Sequence, residues 1–126
     1  MVCAFASSTL SATRLPREER PWSVCLVGDG PEKKSLAARI HRLGLDETVT
    51  LAGLHEDTAA VLPAFDAVVV PSRTEAFGIA ALEAMRMRVP VIASPVGGLP
   101  ELVRDGQTGI LLPRLDAEAI AQAIRR

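Results

Sequence analysis

The chain has 126 residues, 48% of them hydrophobic and 23% charged: enough apolar material for one globular core, and too little length for two ordinary domains. Fourteen basic against fifteen acidic residues give a formal net charge of -1 with no block of like charges, which argues against a nucleic-acid or anionic-membrane ligand. No apolar run approaches the roughly 18 to 20 residues of a membrane span, and no Lys or Arg precedes the apolar Val2 to Ala6 as in a secretion signal, so a cytoplasmic protein is expected.

Val2 to Leu15 reads as a helix ending at Pro16, with a strand at Val2 to Ala6 as the alternative. From Pro21 onward the pattern changes. Apolar, β-branched runs at Ser23 to Val27, Val49 to Ala52, Ala67 to Val70, Val89 to Ala93 and Gly109 to Leu112 alternate with longer helical stretches. Runs that are nearly all apolar fit strands covered by helices on both faces. Helix punctuation agrees: Gly44 stops Glu32 to Leu43, Asp57 caps a short helix, and Asp116 caps Ala117 to Arg125. The pattern predicts an α/β domain over residues 1–126, with five parallel strands and about five helices. Cys3 and Cys25 are too few for a disulfide framework or metal site and read as packing residues.

The stretch Pro71 to Met85 carries the most chemistry. A strand ends at Pro71, a loop containing Glu75 follows, and a helix begins near Phe77. In an open parallel sheet, ligands bind beyond the carboxyl ends of strands, where a helix N-terminus offers unpaired N–H groups and a positive dipole end to an anion. Gly78 lets the backbone approach a phosphate closely. Glu75 and Glu83 stand eight positions apart, roughly 12 Å along a helix, which is too far for a carboxylate dyad. They could hold hydroxyls at the two ends of one ligand whose diphosphate lies between them. Taken singly, Glu75 is equally a helix-start carboxylate and Glu83 a solvated helix residue.

Other candidates carry less. Gly28-Asp29-Gly30-Pro31 sits between a strand and a helix, but Lys33 occupies the place of the third glycine of a dinucleotide fingerprint. Gly97-Gly98-Leu99-Pro100-Glu101 reads as a structural strand-to-helix turn, with Pro100 in the helix's first turn and Glu101 near its dipole. His41 and His55 read as solvated, Arg73 as solvent-facing, and no metal cluster is expected.

The motifs VCLVGDGP, VVVPSRTEAFGIAALEAM and VPVIASPVGGLPELVRDGQTGILLP, in this order, resemble the carboxy-terminal, nucleotide-sugar-binding domain of family 4 glycosyltransferases. These are retaining enzymes of two-Rossmann-domain architecture, and the likeness runs from Pro21 to Arg126. It implies a Rossmann-like, doubly wound sheet. It further implies that Glu75 contacts donor-sugar hydroxyls, that the amides of Phe77, Gly78 and Ile79 face the sugar and diphosphate, and that Glu83 grips the ribose. The donor is then a nucleoside-diphosphate sugar, with no further cofactor and no metal.

The resemblance also defines departures. The family's basic pair, an Arg and a Lys just after the first strand, has no evident match, and Arg14 and Arg17 stand in the wrong place to replace it. Val2 to Leu15 aligns with the helix after that strand, so the domain is expected to lack its first strand and to carry a defect at the centre of its sheet. Either its neighbours pair directly, or Val2 to Ala6 fills the gap, or the chain aggregates. Arg86-Met87-Arg88 replaces the glycine the family commonly places before the next strand. With no amino-terminal acceptor domain, which is expected as a separate partner, the isolated chain should not transfer sugar. The alternatives are a non-catalytic binding module or a truncated product without independent function.

Overall fold

Short β-branched runs separated by capped helices can close as parallel strands joined by crossovers. The computed structural model, which describes residues 2–5, 23–55 and 57–126, has that arrangement. In chain order the strands are β1 (Val2–Phe5), β2 (Val24–Val27), β3 (Val49–Gly53), β4 (Ala67–Val70), β5 (Val91–Ala93) and β6 (Ile110–Leu111). The helices are α1 (Lys33–Arg42), α2 (Thr58–Val61), α3 (Ile79–Arg86), α4 (Leu99–Leu102) and α5 (Ala117–Arg125), with a single 3-10 turn at Leu62–Ala64. The sheet runs β3-β2-β1-β4-β5-β6, and every neighbouring pair is parallel.

Two expectations are overturned at the N-terminus. Val2–Phe5 is a strand rather than the start of a helix, and the sheet has its first strand. Residues 6–15 of the expected helix, with Arg14, and Arg17 beyond it, lie outside the described residues. β1 occupies the central slot, with Val2 beside both Val24 and Ala67, and Ala4 beside both Leu26 and Val69. The reason is tertiary. Helix propensities differ by well under about 1 kcal/mol for ordinary residues, whereas an empty slot here would leave β2 and β4 with two unpaired edges. Four residues with donors and acceptors on both sides close that gap.

The sheet is buried on both faces, as its apolar runs require. Val68 and Val70 point into one layer with Leu62, Ala84 and Leu99, while Val69 points into the other with Leu26, Ile92 and Leu112. α5 lays Ala119 and Ala123, one turn apart, on this second face, and Asp116 starts it by accepting the Ala119 N–H at 2.8 Å.

Two helices end in the same way with different residues. After α1, the Gly44 N–H donates to the His41 carbonyl and the Leu45 N–H to the Ile40 carbonyl, a Schellman motif with Gly44 at φ +64°. After α3, the Arg88 N–H donates to Met85 and the Val89 N–H to Ala84, so Arg88 holds the left-handed position at φ +60°. It is the one non-glycine residue with positive φ among the described residues. The turn that the sequence marks as lacking its glycine forms nonetheless, with Arg88 in the strained place.

Candidate functional site

The strand order places the topological switch between β1 and β4, so ligand chemistry belongs beyond the carboxyl end of β4. There Pro71 and Ser72 are buried, and the chain turns through Arg73 and Thr74 to Glu75. The half-buried Glu75 carboxylate is held at both oxygens. Its Oε1 accepts the Gly78 N–H at 3.1 Å and its Oε2 accepts the Ser72 hydroxyl at 3.2 Å. Glu75 is thus the helix-start carboxylate that the sequence allows, and it is fixed against the strand end as well.

The helix begins two residues later than the sequence suggests, at Ile79, with Gly78 as its N-cap at φ +89° and no side-chain cap of its own. The first-turn amides from Ile79 onward have no intrahelical acceptor, and no acidic side chain occupies that turn. Among the expected donor-facing amides, that of Gly78 is engaged by Glu75 in this state. Phe77 and Ile79 stand 56% and 62% exposed, large apolar side chains turned to solvent beside the loop.

Glu83, one turn further along α3, is not a freely solvated helix residue. It is half-buried, and its Oε2 accepts the Thr58 hydroxyl at 2.9 Å, 25 positions away in sequence. Thr58 opens α2, whose N-cap Asp57 accepts the Ala60 N–H at 3.1 Å. The two candidate carboxylates therefore bracket the start of α3, each with an oxygen held by a hydroxyl.

The loop rests on the turn after β5. An added Cβ at Gly97, whose φ is +54°, would stand 1.5 Å from the Glu75 carbonyl oxygen. One at Gly98 would stand 3.0 Å from the carbonyl oxygens of both Ala76 and Phe77. The GG pair is therefore a platform on which the site loop lies, more than the structural turn that its sequence implies. Beneath it, the fully buried Ser94 hydroxyl donates to the Ser72 carbonyl at 2.6 Å. Thr58 belongs to none of the motifs that single out this region, and Ser94, though it lies within the VPVIASPVGGLPELVRDGQTGILLP run, is not marked there as a site residue.

The remaining sequence candidates fall outside this constellation. Asp29 accepts its neighbour's Gly30 N–H at 2.9 Å and pairs with Lys33 at 3.2 Å; the Lys33 ammonium, then that amide, hold its carboxyl below the usual range. The GDGP turn is thus closed on itself. His41 lies 3.3 Å from Asp46 on the exposed side of α1, while His55 and Arg73 are exposed. Pro100 and Glu101 occupy the first turn of α4 as expected. Cys25 is a free thiol whose pKa burial raises, in keeping with a packing role. No group of three or more His, Cys, Asp or Glu side chains is placed to hold a metal among the described residues, and no helix there is long and apolar enough to cross a membrane.

The alpha-D-kanosaminyltransferase of Streptomyces kanamyceticus is 37% identical over 118 residues, covering 92% of this chain and 31% of that protein. A D-inositol 3-phosphate glycosyltransferase of Mycobacterium sp. (strain KMS) is 42% identical over 107 residues, covering 79% of this chain and 24% of that protein. The chain thus spans less than a third of the length of these curated relatives. Among solved structures, Anabaena HepE in complex with UDP superposes with a TM-score of 0.81 at 28% identity, over 98% of this chain and 38% of that one. Its complex with UDP-glucose gives a TM-score of 0.80. The family described as Glycosyl transferases group 1 matches residues 6–126, and with the doubly wound sheet and the loop-to-helix site in place, the chain belongs to that family.

Proposed function

We propose that this chain is the donor-binding domain of a retaining, family 4 type glycosyltransferase, and that it takes a nucleoside-diphosphate sugar. The observation that carries the reading is the pair of half-buried carboxylates, Glu75 and Glu83, held by Ser72 and Thr58 on either side of the α3 N-terminus. A helix start between two fixed acceptors suits a ligand with hydroxyls at both ends and a diphosphate between. HepE, which shares this fold, binds UDP and UDP-glucose, and that agrees with the assignment.

In this reading Glu83 accepts from the ribose and Glu75 from the sugar, while the first-turn amides of α3 meet the diphosphate. Negative charge grows on the diphosphate as the glycosidic bond breaks. Amides already aimed at it stabilise the transition state without reorganisation, and fixed carboxylates hold the sugar in line. The acceptor and the second Rossmann domain belong to a partner or to further sequence, the setting is cytoplasmic, and no cofactor beyond the donor is invoked.

Calorimetric titration of the purified chain with UDP, GDP, ADP and their glucose conjugates tests the assignment. Glu83→Ala should weaken nucleoside diphosphate and nucleotide sugar alike, and Glu75→Ala only the nucleotide sugar, each by about 1.5 to 3 kcal/mol. Absence of binding to the whole panel, or equal effects of both substitutions on the plain nucleotide, would overturn the proposal.

A further inference from the structure

Thr58 lies outside every motif of the chain, yet it makes a hydrogen bond to a candidate ligand-binding carboxylate from another part of the fold. Its hydroxyl donates to Glu83 Oε2 at 2.9 Å. The connection from β3 to β4 crosses the sheet from its outer edge back past the switch point, and α2 lies on that connection. Thr58 therefore links the segment that leaves the first half of the sheet to the helix that opens the second half. Its own position is well determined. Asp57 caps the helix that Thr58 begins, the Thr58 carbonyl accepts the Leu62 N–H, and Leu62 is fully buried in the core.

We infer that Thr58 is a positioning residue for nucleotide binding, orienting the Glu83 carboxylate toward a vicinal diol. A carboxylate at the end of a glutamate has three rotatable bonds, and ordering it on ligand binding costs free energy. A hydroxyl that donates to one oxygen beforehand reduces that cost. It leaves Oε1 and the second lone pair of Oε2 for the two hydroxyls of a ribose. The partially desolvated setting strengthens the contact, since charge-assisted hydrogen bonds gain as water is excluded. The inference rests on the donor-site reading of Glu83 and adds to it a residue that touches no ligand.

The test compares the wild-type chain with Thr58→Val and Thr58→Ser by calorimetry, using whichever of UDP, GDP and ADP binds tightest and its 2′,3′-dideoxy counterpart. Thermal unfolding of each variant runs in parallel. Thr58→Val should weaken the ribonucleotide about 3- to 10-fold, the range expected for one hydrogen bond. It should leave the dideoxy nucleotide unchanged, and Thr58→Ser should restore the wild-type value. In a Glu83→Ala background, Thr58→Val should have no further effect on binding. Equal weakening of both nucleotides, or none, would overturn the positioning role while leaving the donor site standing. If Thr58→Val does not fold, Thr58→Ser and Thr58→Cys carry the comparison: Ser should bind as wild type and the weakly donating Cys should lose ribonucleotide affinity selectively. A wild-type chain that binds no nucleotide would remove the donor-site reading, and this inference with it.

Discussion

Replacing Gly97 by alanine puts a methyl group where the site loop already lies. The new Cβ would be 1.5 Å from the Glu75 carbonyl oxygen and 2.6 Å from its carbon, and real Cβ contacts essentially never fall under 3.0 Å. A displacement of at least about 1.5 Å is therefore needed, and both parties are backbone, so no side chain can rotate away. Left-handed φ costs an L-residue about 1 to 2 kcal/mol, and forcing the packed loop off its platform adds about 1 to 3 kcal/mol. Gly106 separates the two contributions. Its φ is +71° and an added Cβ meets nothing within 4 Å, so Gly106→Ala should show the backbone contribution alone. In urea unfolding, Gly97→Ala should be the less stable of the two by about 1 to 3 kcal/mol. Because the Glu75 carbonyl cannot move without its side chain, nucleotide-sugar affinity should fall further than nucleoside-diphosphate affinity. Equal destabilisation by the two substitutions, with donor binding intact in both, would refute the claim that this turn supports the loop.

Arg88→Gly should stabilise the chain by about 0.5 to 1 kcal/mol in the same urea assay, since glycine takes the left-handed position of a Schellman motif without the Cβ penalty, as Gly44 does after α1. A loss of stability would show that the arginine side chain more than offsets its strain. Asp116 accepts the Ala119 N–H and pairs with Arg114, and in that order these hold its carboxyl below the usual range in the folded state. Its contribution is therefore present above the unfolded pKa and is lost as pH falls through the lower, folded one. Stability in acid should decline less steeply for Asp116→Asn than for wild type, and an NMR titration placing the Asp116 pKa at or above the ordinary carboxylate value would contradict the cap.

Ala67 to Val70 and Ala117 to Arg125 are read from the sequence with the bounds the structure gives them, because an apolar run between turn residues and an Asp-capped amphipathic stretch carry their signals locally. Val2–Phe5 is different. Its four residues include a single β-branched one where Ala67 to Val70 has three, and what makes them a strand is the slot between β2 and β4, which is a property of residues far along the chain. The site divides in the same way. Glu75, Gly78 and Glu83 are visible through spacing and resemblance, and the structure sets all three on one loop and helix. Thr58 carried no signal beyond the Asp57 cap beside it. The duty of Gly97 becomes apparent only once the Glu75 carbonyl has a position, since the sequence says that a glycine is permitted there and not what presses on it.

The sheet order gives β1 a role beyond filling a gap. β3 and β2 lie on one side of it and β4, β5 and β6 on the other, and all the hydrogen bonding between these two sets of described strands passes through its four residues. Its partners are far apart in the chain, Val2 pairing with both Val24 and Ala67, so its ladder on the β4 side closes a much longer loop than its ladder on the β2 side. Each half can form its own strand pairs from nearer neighbours. The cooperativity of the whole then rests on this short strand together with the core packing that joins the halves, where Leu26 of β2 shares a layer with Val69 of β4. How firmly β1 and that packing hold both sides at once bears on whether the domain opens in a single step or as two coupled units.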